Sequence, residues 1–199
     1  MSDVAATQDH ALTEAGSMPG VDNRKFGVWL FIASEVMFFM ALIGMYLAYR
    51  GQPSWADFHH ALDIPLTAVN TFILLTSSLM VVLAVSAAQQ GHKRNLTAWM
   101  IATVVLGTIF VSIQAFEYSK LGSEGHTLSS SLAGNVFFTL TGFHGLHVII
   151  GVLWGVVVLL RAARGGFNQR NFMGVELFGL YWHFVDVVWI LLFTIIYLI

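Results

Sequence analysis

Five apolar runs, at roughly Val28–Tyr49, Leu66–Ala88, Leu96–Phe116, Asn135–Leu160 and Val175–Ile199, occupy most of this 199-residue chain. Each has about the 20 residues that cross ~30 Å of hydrocarbon as a helix. Membrane-spanning strands would be about half as long and would alternate in polarity. Inside the hydrocarbon every backbone N–H and C=O needs a partner within the protein, so runs of this length form helices. The expected fold is all-α and integral to the membrane: a bundle of five transmembrane helices. Composition agrees, with 57% hydrophobic and 10% charged residues, where a soluble domain averages about 25% charged. Pro19, Pro53 and Pro65 stand outside the runs, so helices without proline kinks are expected.

The connecting segments Arg50–Pro65, Gln89–Asn95, Glu117–Gly134 and Arg161–Gly174 are too short to separate domains. Residues 26–199 are expected to form one transmembrane domain behind a mobile polar tail over residues 1–25. That tail mixes Asp3, Asp9, His10, Glu14 and Asp22 and lacks the apolar centre of a signal peptide. The basic residues set the expected orientation. Arg24, Lys25, Lys93, Arg94, Arg161, Arg164 and Arg170 fall on one side, and Arg50 and Lys120 on the other. The positive-inside rule puts the N-terminus in the cytoplasm and the C-terminus on the periplasmic or external side. Trp29, Trp55 and Trp99 lie near run ends, where interfacial aromatics collect.

Several function classes drop out. With no cysteine, disulfides, thiolate metal sites and cysteine catalysis are excluded. A net charge of −2 does not suggest a nucleic-acid partner. Phosphate-loop, dinucleotide and zinc-protease motifs are missing from the sequence. The two halves show no inverted repeat of the kind secondary transporters carry.

What remains are the ionisable residues inside the runs, each costly in hydrocarbon and so a starting point for function. Counted from the expected inner ends, Glu35 lies ~10 Å deep, His183 and Asp186 ~12–17 Å, and His147 ~20 Å, with His144 a turn further out. His144 and His147, spaced i, i+3 in Thr141-Gly-Phe-His-Gly-Leu-His147, share a helix face. They read either as a metal or haem ligand pair or as interhelical hydrogen-bonding groups. Few further ligands are available at that depth for a redox metal. His183 and Asp186 repeat the spacing in Tyr181-Trp-His-Phe-Val-Asp-Val-Val-Trp189, as a proton relay or a structural ion pair. Trp182 and Trp189 flank them and either pack on a partner helix or line a lipid groove. No Lys or Arg lies at the depth of Glu35, so its partner is a histidine, a serine, a backbone group or water. It is a candidate proton donor and acceptor, or a structural acid bonded to a histidine. Glu117, with Tyr118 and Lys120, reads as an interfacial cap. Arg161 and Arg164, in a basic, Gly-rich segment, are placed for orientation and anionic lipid headgroups. Met37, Met40 and Met45 read as packing.

Three stretches carry a resemblance: Trp29-Leu-Phe-Ile-Ala-Ser-Glu-Val-Met-Phe-Phe39, Thr141-Gly-Phe-His-Gly-Leu-His-Val-Ile-Ile-Gly151 and Tyr181-Trp-His-Phe-Val-Asp-Val-Val-Trp189. They resemble subunit III of the haem–copper terminal oxidases, in the short five-helix bacterial form, over nearly all of the chain after residue 25. The resemblance implies an accessory subunit in the bacterial plasma membrane that binds neither haem nor copper. Those cofactors reside in partner subunits that reduce oxygen to water and pump protons. It implies direct packing on subunit I, assembly with subunit II and other subunits, bound phospholipid and support of proton uptake. The family's intramembrane carboxylate corresponds to Glu35, and its helix motifs to His144, His147, His183 and Asp186, in structural, proton or lipid roles. Glu35 and the Gly142–His147 wording favour cytochrome c as electron donor over a quinol; a nitric-oxide-reductase-associated homologue is a further branch. From another class, a stand-alone proton or ion channel built on Glu35 and the histidines is the alternative.

Overall fold

The computed structural model describes residues 22–52 and 54–199. The expected tail lies outside them up to residue 21. From Asp22 onward the chain is already ordered into the first helix, whose N-terminal N–H of Arg24 is capped by the Asp22 carboxylate at 2.8 Å. The elements are α1 (Asn23–Tyr49), a short α2 (Ser54–His60), α3 (Ile64–Gln89), α4 (Lys93–Ser123), α5 (Leu132–Ala163) and α6 (Met173–Phe193). A π-helical turn, Thr194–Leu198, continues α6. Among the described residues there are no strands, only an isolated bridge between Asn168 and Asn171. Five of the helices are long and apolar enough to cross a membrane.

The helices overrun the apolar runs at their polar ends, because capping side chains and glycines, not hydropathy, set where a helix stops. Asp63 caps α3 through the Leu66 N–H, and Ser131 caps α5 through the Gly134 N–H. Pro65 sits in the first turn of α3, where its missing N–H costs nothing. At the other end of α3, Gly91 adopts φ +74°, and His92 N–H closes on Ala87 O at 2.9 Å. Only glycine takes that left-handed position cheaply, so the helix stops there.

α3, α4, α5 and α6 form the packed core of the bundle, and α1 lies against α5 and α6. Only 17% of the apolar stretch of α1 is buried, against 56% for α6. α1 is pinned by polar contacts along its length. Lys25 pairs with Glu176 at one end, Glu35 with His147 in the middle, and Tyr46 donates to Ile195 O at 3.0 Å at the other end. Large apolar side chains face outward, among them Met37 at 73% and Phe72 at 71% exposure. In water such a surface would aggregate. In lipid it is the ordinary exterior of a helix bundle.

Met37 and Met40, read above as packing residues, therefore point away from the bundle. Trp55, expected at the interface, is buried on α2 between Tyr46 and Phe58. The cause is that the segment after α1 folds back as a helix and seats Phe58 on Phe137 of α5.

An exposed ion pair ties the start of α3 to the end of α4: Lys120 Nζ lies 3.1 Å from Asp63 Oδ2. The hydrogen bond from Lys120, and then that from the Leu66 N–H, hold the Asp63 carboxyl below the usual carboxylate range. A lowered folded value means that the pair stabilises the fold above the unfolded value and is lost as pH falls through the folded one. Asp63→Asn should therefore melt slightly earlier than the parent at neutral pH, and the gap should close in acid. Thermal melts across pH check this; a gap that widens in acid would reverse the sign.

Candidate functional site

The intramembrane carboxylates and imidazoles sort into four places. The first joins α1 to α5. His147 Nδ1 lies 2.7 Å from Phe143 O, and its Nε2 lies 3.1 Å from Glu35 Oε2. A carbonyl oxygen only accepts, so Nδ1 carries a proton. One further proton must then sit between Nε2 and Oε2, on either the imidazole or the carboxyl. The pair thus shares one proton between Nε2 and Oε2, packed under the rings of Phe38 and Phe39. The expected depths set the two residues about 10 Å apart. Counted from the observed helix ends, Asn23 and Ala163, the gap narrows to about 6 Å, which the two side chains span.

The second place is the core. His144 is fully buried; its Nε2 donates to Val185 O at 3.2 Å, and its ring stacks on Trp189 at 4.8 Å. His144 and His147 share α5, yet one faces the core and the other faces α1, so they do not form a ligand pair. Among the described residues, no three His, Asp or Glu side chains converge as a metal site would need.

The third place lies between α6 and α3, where one expectation is corrected and one pair of alternatives is decided in favour of packing. His183 and Asp186 do not pair. His183 Nδ1 instead lies 2.6 Å from Ser78 Oγ, while neither Asp186 oxygen has a hydrogen-bond partner among the described residues. Three residues along a helix amount to about 300°, so the two side chains diverge by ~60° and the neighbouring helix decides their partners. Trp182 and Trp189 line no lipid groove: both are buried, and their indole N–H groups donate to Ser77 and Thr71 of α3, each at 2.9 Å.

The fourth place was misread in the sequence. Glu117 is no surface cap; it is 3% exposed and accepts from the hydroxyls of Thr67 and Tyr197, each at 3.1 Å. α4 runs on to Ser123, so Glu117 is still within the packed part of the helix. A signal for these partners was present. Thr67, Asn70, Thr71, Ser77 and Ser78 recur at helical spacing along the apolar run of α3 and mark a polar stripe that faces α4 and α6.

Arg161 and Arg164 end α5 on the exposed surface. The Arg161 guanidinium lies 5.2 Å from the Phe167 ring centre, and neither arginine forms an ion pair among the described residues.

Comparison with known proteins bears on this arrangement as a whole. The model of the cytochrome c oxidase subunit III family matches residues 7–199. Cytochrome c oxidase subunit 3 of Corynebacterium diphtheriae is 40% identical, over 99% of this chain and 96% of that relative. The Bacillus sp. strain PS3 protein of the same name is 36% identical, over 88% of this chain and 86% of its own length. Cytochrome bo(3) ubiquinol oxidase subunit 3 of Pseudomonas aeruginosa is 34% identical, over 98% and 91%.

Proposed function

The chain belongs to the cytochrome c oxidase subunit III family, and on that footing we propose that it serves as the accessory, non-redox subunit of a proton-pumping haem–copper oxidase. Haem and copper belong to the partner subunits, and this chain packs on subunit I. The observation that carries the non-redox role is that each intramembrane histidine is engaged by a neighbouring helix or by its own: His147 with Glu35, His144 with Val185, His183 with Ser78. The imidazoles act as fasteners and proton carriers between helices. The Glu35–His147 pair supports proton uptake by the core.

The basic end of the bundle faces the cytoplasm of a bacterial cell, and the C-terminus faces outward. Arg161 and Arg164 then sit at the inner headgroup layer, suited to anionic phospholipid. Cytochrome c is the electron donor in this reading, supported by relatives of that name at 36–40% identity. The quinol branch is the second reading, favoured by the Pseudomonas aeruginosa relative.

Affinity purification through this chain in mild detergent tests the proposal, with a reduced-minus-oxidised spectrum and a donor assay. Haem bands with oxygen uptake driven by cytochrome c are expected. Uptake driven only by quinol would transfer the chain to the other branch. A colourless, partner-free preparation would overturn the oxidase role and favour a stand-alone channel.

A further inference from the structure

Gln114 of α4 is 5% exposed and belongs to a chain of hydrogen bonds in which every hydrogen is accounted for. Thr141 Oγ1 donates to Phe137 O, and Tyr118 Oη donates to Thr141 Oγ1, each at 2.7 Å. The Gln114 amide spends its two N–H bonds on Tyr118 Oη and Thr141 O, each at 3.2 Å. A backbone carbonyl only accepts, so Thr141 O fixes which end of the amide is nitrogen. The other end, Gln114 Oε1, is an acceptor for which the network has no hydrogen left. It forms no hydrogen bond among the described residues. Gln114 lies nine residues from the Ser123 end of α4, about 14 Å along the helix. At that depth a polar group draws its partner from protein rather than from bulk water.

Gln114 borders a groove of about 330 Å³ between α4 and α5, lined also by Tyr118, Gly142, Gly145, Leu146 and Ile149. A methyl built at Gly145 would come within 3.0 Å of Oε1, so glycine there keeps the oxygen uncovered. A methyl built at Gly142 would meet nothing within 4 Å. Glycine inside a helix is destabilising relative to alanine, and packing within this chain does not call for it at Gly142. Beside the groove, α4 presents Thr108, Ser112, Ala115 and Ser119, all exposed and on one stripe of the helix. Their three hydroxyls are already spent on their own helix, donating to Val104 O, Thr108 O and Ala115 O. Small, self-satisfied residues let a second helix approach closely in a membrane, and a polar group beside them holds it there.

We propose that the α4–α5 groove receives a transmembrane helix of a neighbouring oxidase subunit, which inserts a side chain that donates a hydrogen bond to Gln114 Oε1. The donor is a hydroxyl, an amide or an indole N–H. A lipid acyl chain has no such hydrogen and would leave Oε1 unpaired, so the polar match selects protein over lipid as the occupant. Gly142 and the small residues of α4 give the incoming backbone its close approach. That the partner is an oxidase subunit rests on the accessory role proposed above; the docking face and the chemistry of its anchor come from the groove itself.

Two measurements on the complex purified through this chain test the groove. The chain has no cysteine, so Ala115→Cys carries a photo-crosslinker at one defined point. Illumination should yield an adduct between this chain and a partner subunit. Gly142→Leu fills the groove from a position whose added carbon touches nothing in this chain, so the fold is kept. It should release the chain from the complex in detergent at least about tenfold faster than the parent, as overpacking of a close contact does. Adducts with phospholipid alone, or release of Gly142→Leu at the parent's rate, would overturn the proposal. Haem bands in the parent preparation check the oxidase role separately, so a failure of the groove is distinguished from a failure of that role.

Discussion

Trp182→Ala should cost about 3–5 kcal/mol and loosen the bundle more than any other single truncation in it. The indole is fully buried, and its N–H donates to Ser77 of α3. Gly107 of α4 and Gly151 of α5 make room for its ring. A methyl built at Gly107 would come within 2.7 Å of the indole, and one at Gly151 within 2.8 Å. One side chain of α6 thus joins three other helices. Its loss leaves a cavity that surrounding backbones, already close, are poorly able to fill. The converse change, Gly107→Ala, should cost about 1–3 kcal/mol by overpacking. The two should couple: Gly107→Ala should be much milder once Trp182 is alanine. Thermal unfolding of the purified complex, followed through release of this chain, measures all three variants. Additive effects would mean that the close contacts carry no strain.

Glu35→Ala should leave the haem content of the complex intact while lowering sustained turnover and proton uptake. The structural cost comes from His147, whose Nε2 would lose its partner in a mostly buried site, about 1–3 kcal/mol. It is felt mainly by α1, which has little apolar burial and depends on polar contacts to stay docked. The decline in turnover is expected to reach about tenfold, equivalent to ~1.4 kcal/mol. Glu35→Gln separates the two roles. A glutamine amide donates to His147 Nε2 and keeps α1 in place, but it cannot take up or release a proton. If Gln restores stability while turnover stays low, the pair works as a proton store. If Gln restores both, it is only a fastener. Complete loss of haem in the alanine variant would contradict an accessory role.

Several parts of this picture were open to reading before any coordinates. Runs of about 20 apolar residues leave no choice but helix, and a carboxylate or imidazole within them stands out at once. The need of Glu35 for a non-basic partner followed from the absence of Lys and Arg at its depth. The polar stripe on α3 was also visible in principle, since Thr67, Asn70, Thr71, Ser77 and Ser78 keep helical spacing. Such a stripe does not stand out, because serine and threonine are cheap in membrane helices where a charge is costly. Glu117 was misplaced for a related reason. Hydropathy marks where a run turns polar, whereas the helix continues to wherever its backbone is capped.

The sequence by itself therefore determined the class of the fold, the number of crossings and the residues out of place in lipid. All of these follow from the cost of unpaired polar groups in hydrocarbon, which each segment meets alone. Which residues meet was decided only by the tertiary structure. Identical i, i+3 spacing gave His144 a backbone carbonyl and a stacked indole, His147 a carboxyl on α1, His183 a serine hydroxyl, and Asp186 no bond among the described residues. Neighbours on one helix point tens of degrees apart, and a side chain bonds across to whichever helix lies opposite. That order of helices is a property of the packed bundle, written in the fit of glycines around Trp182 rather than in any single run.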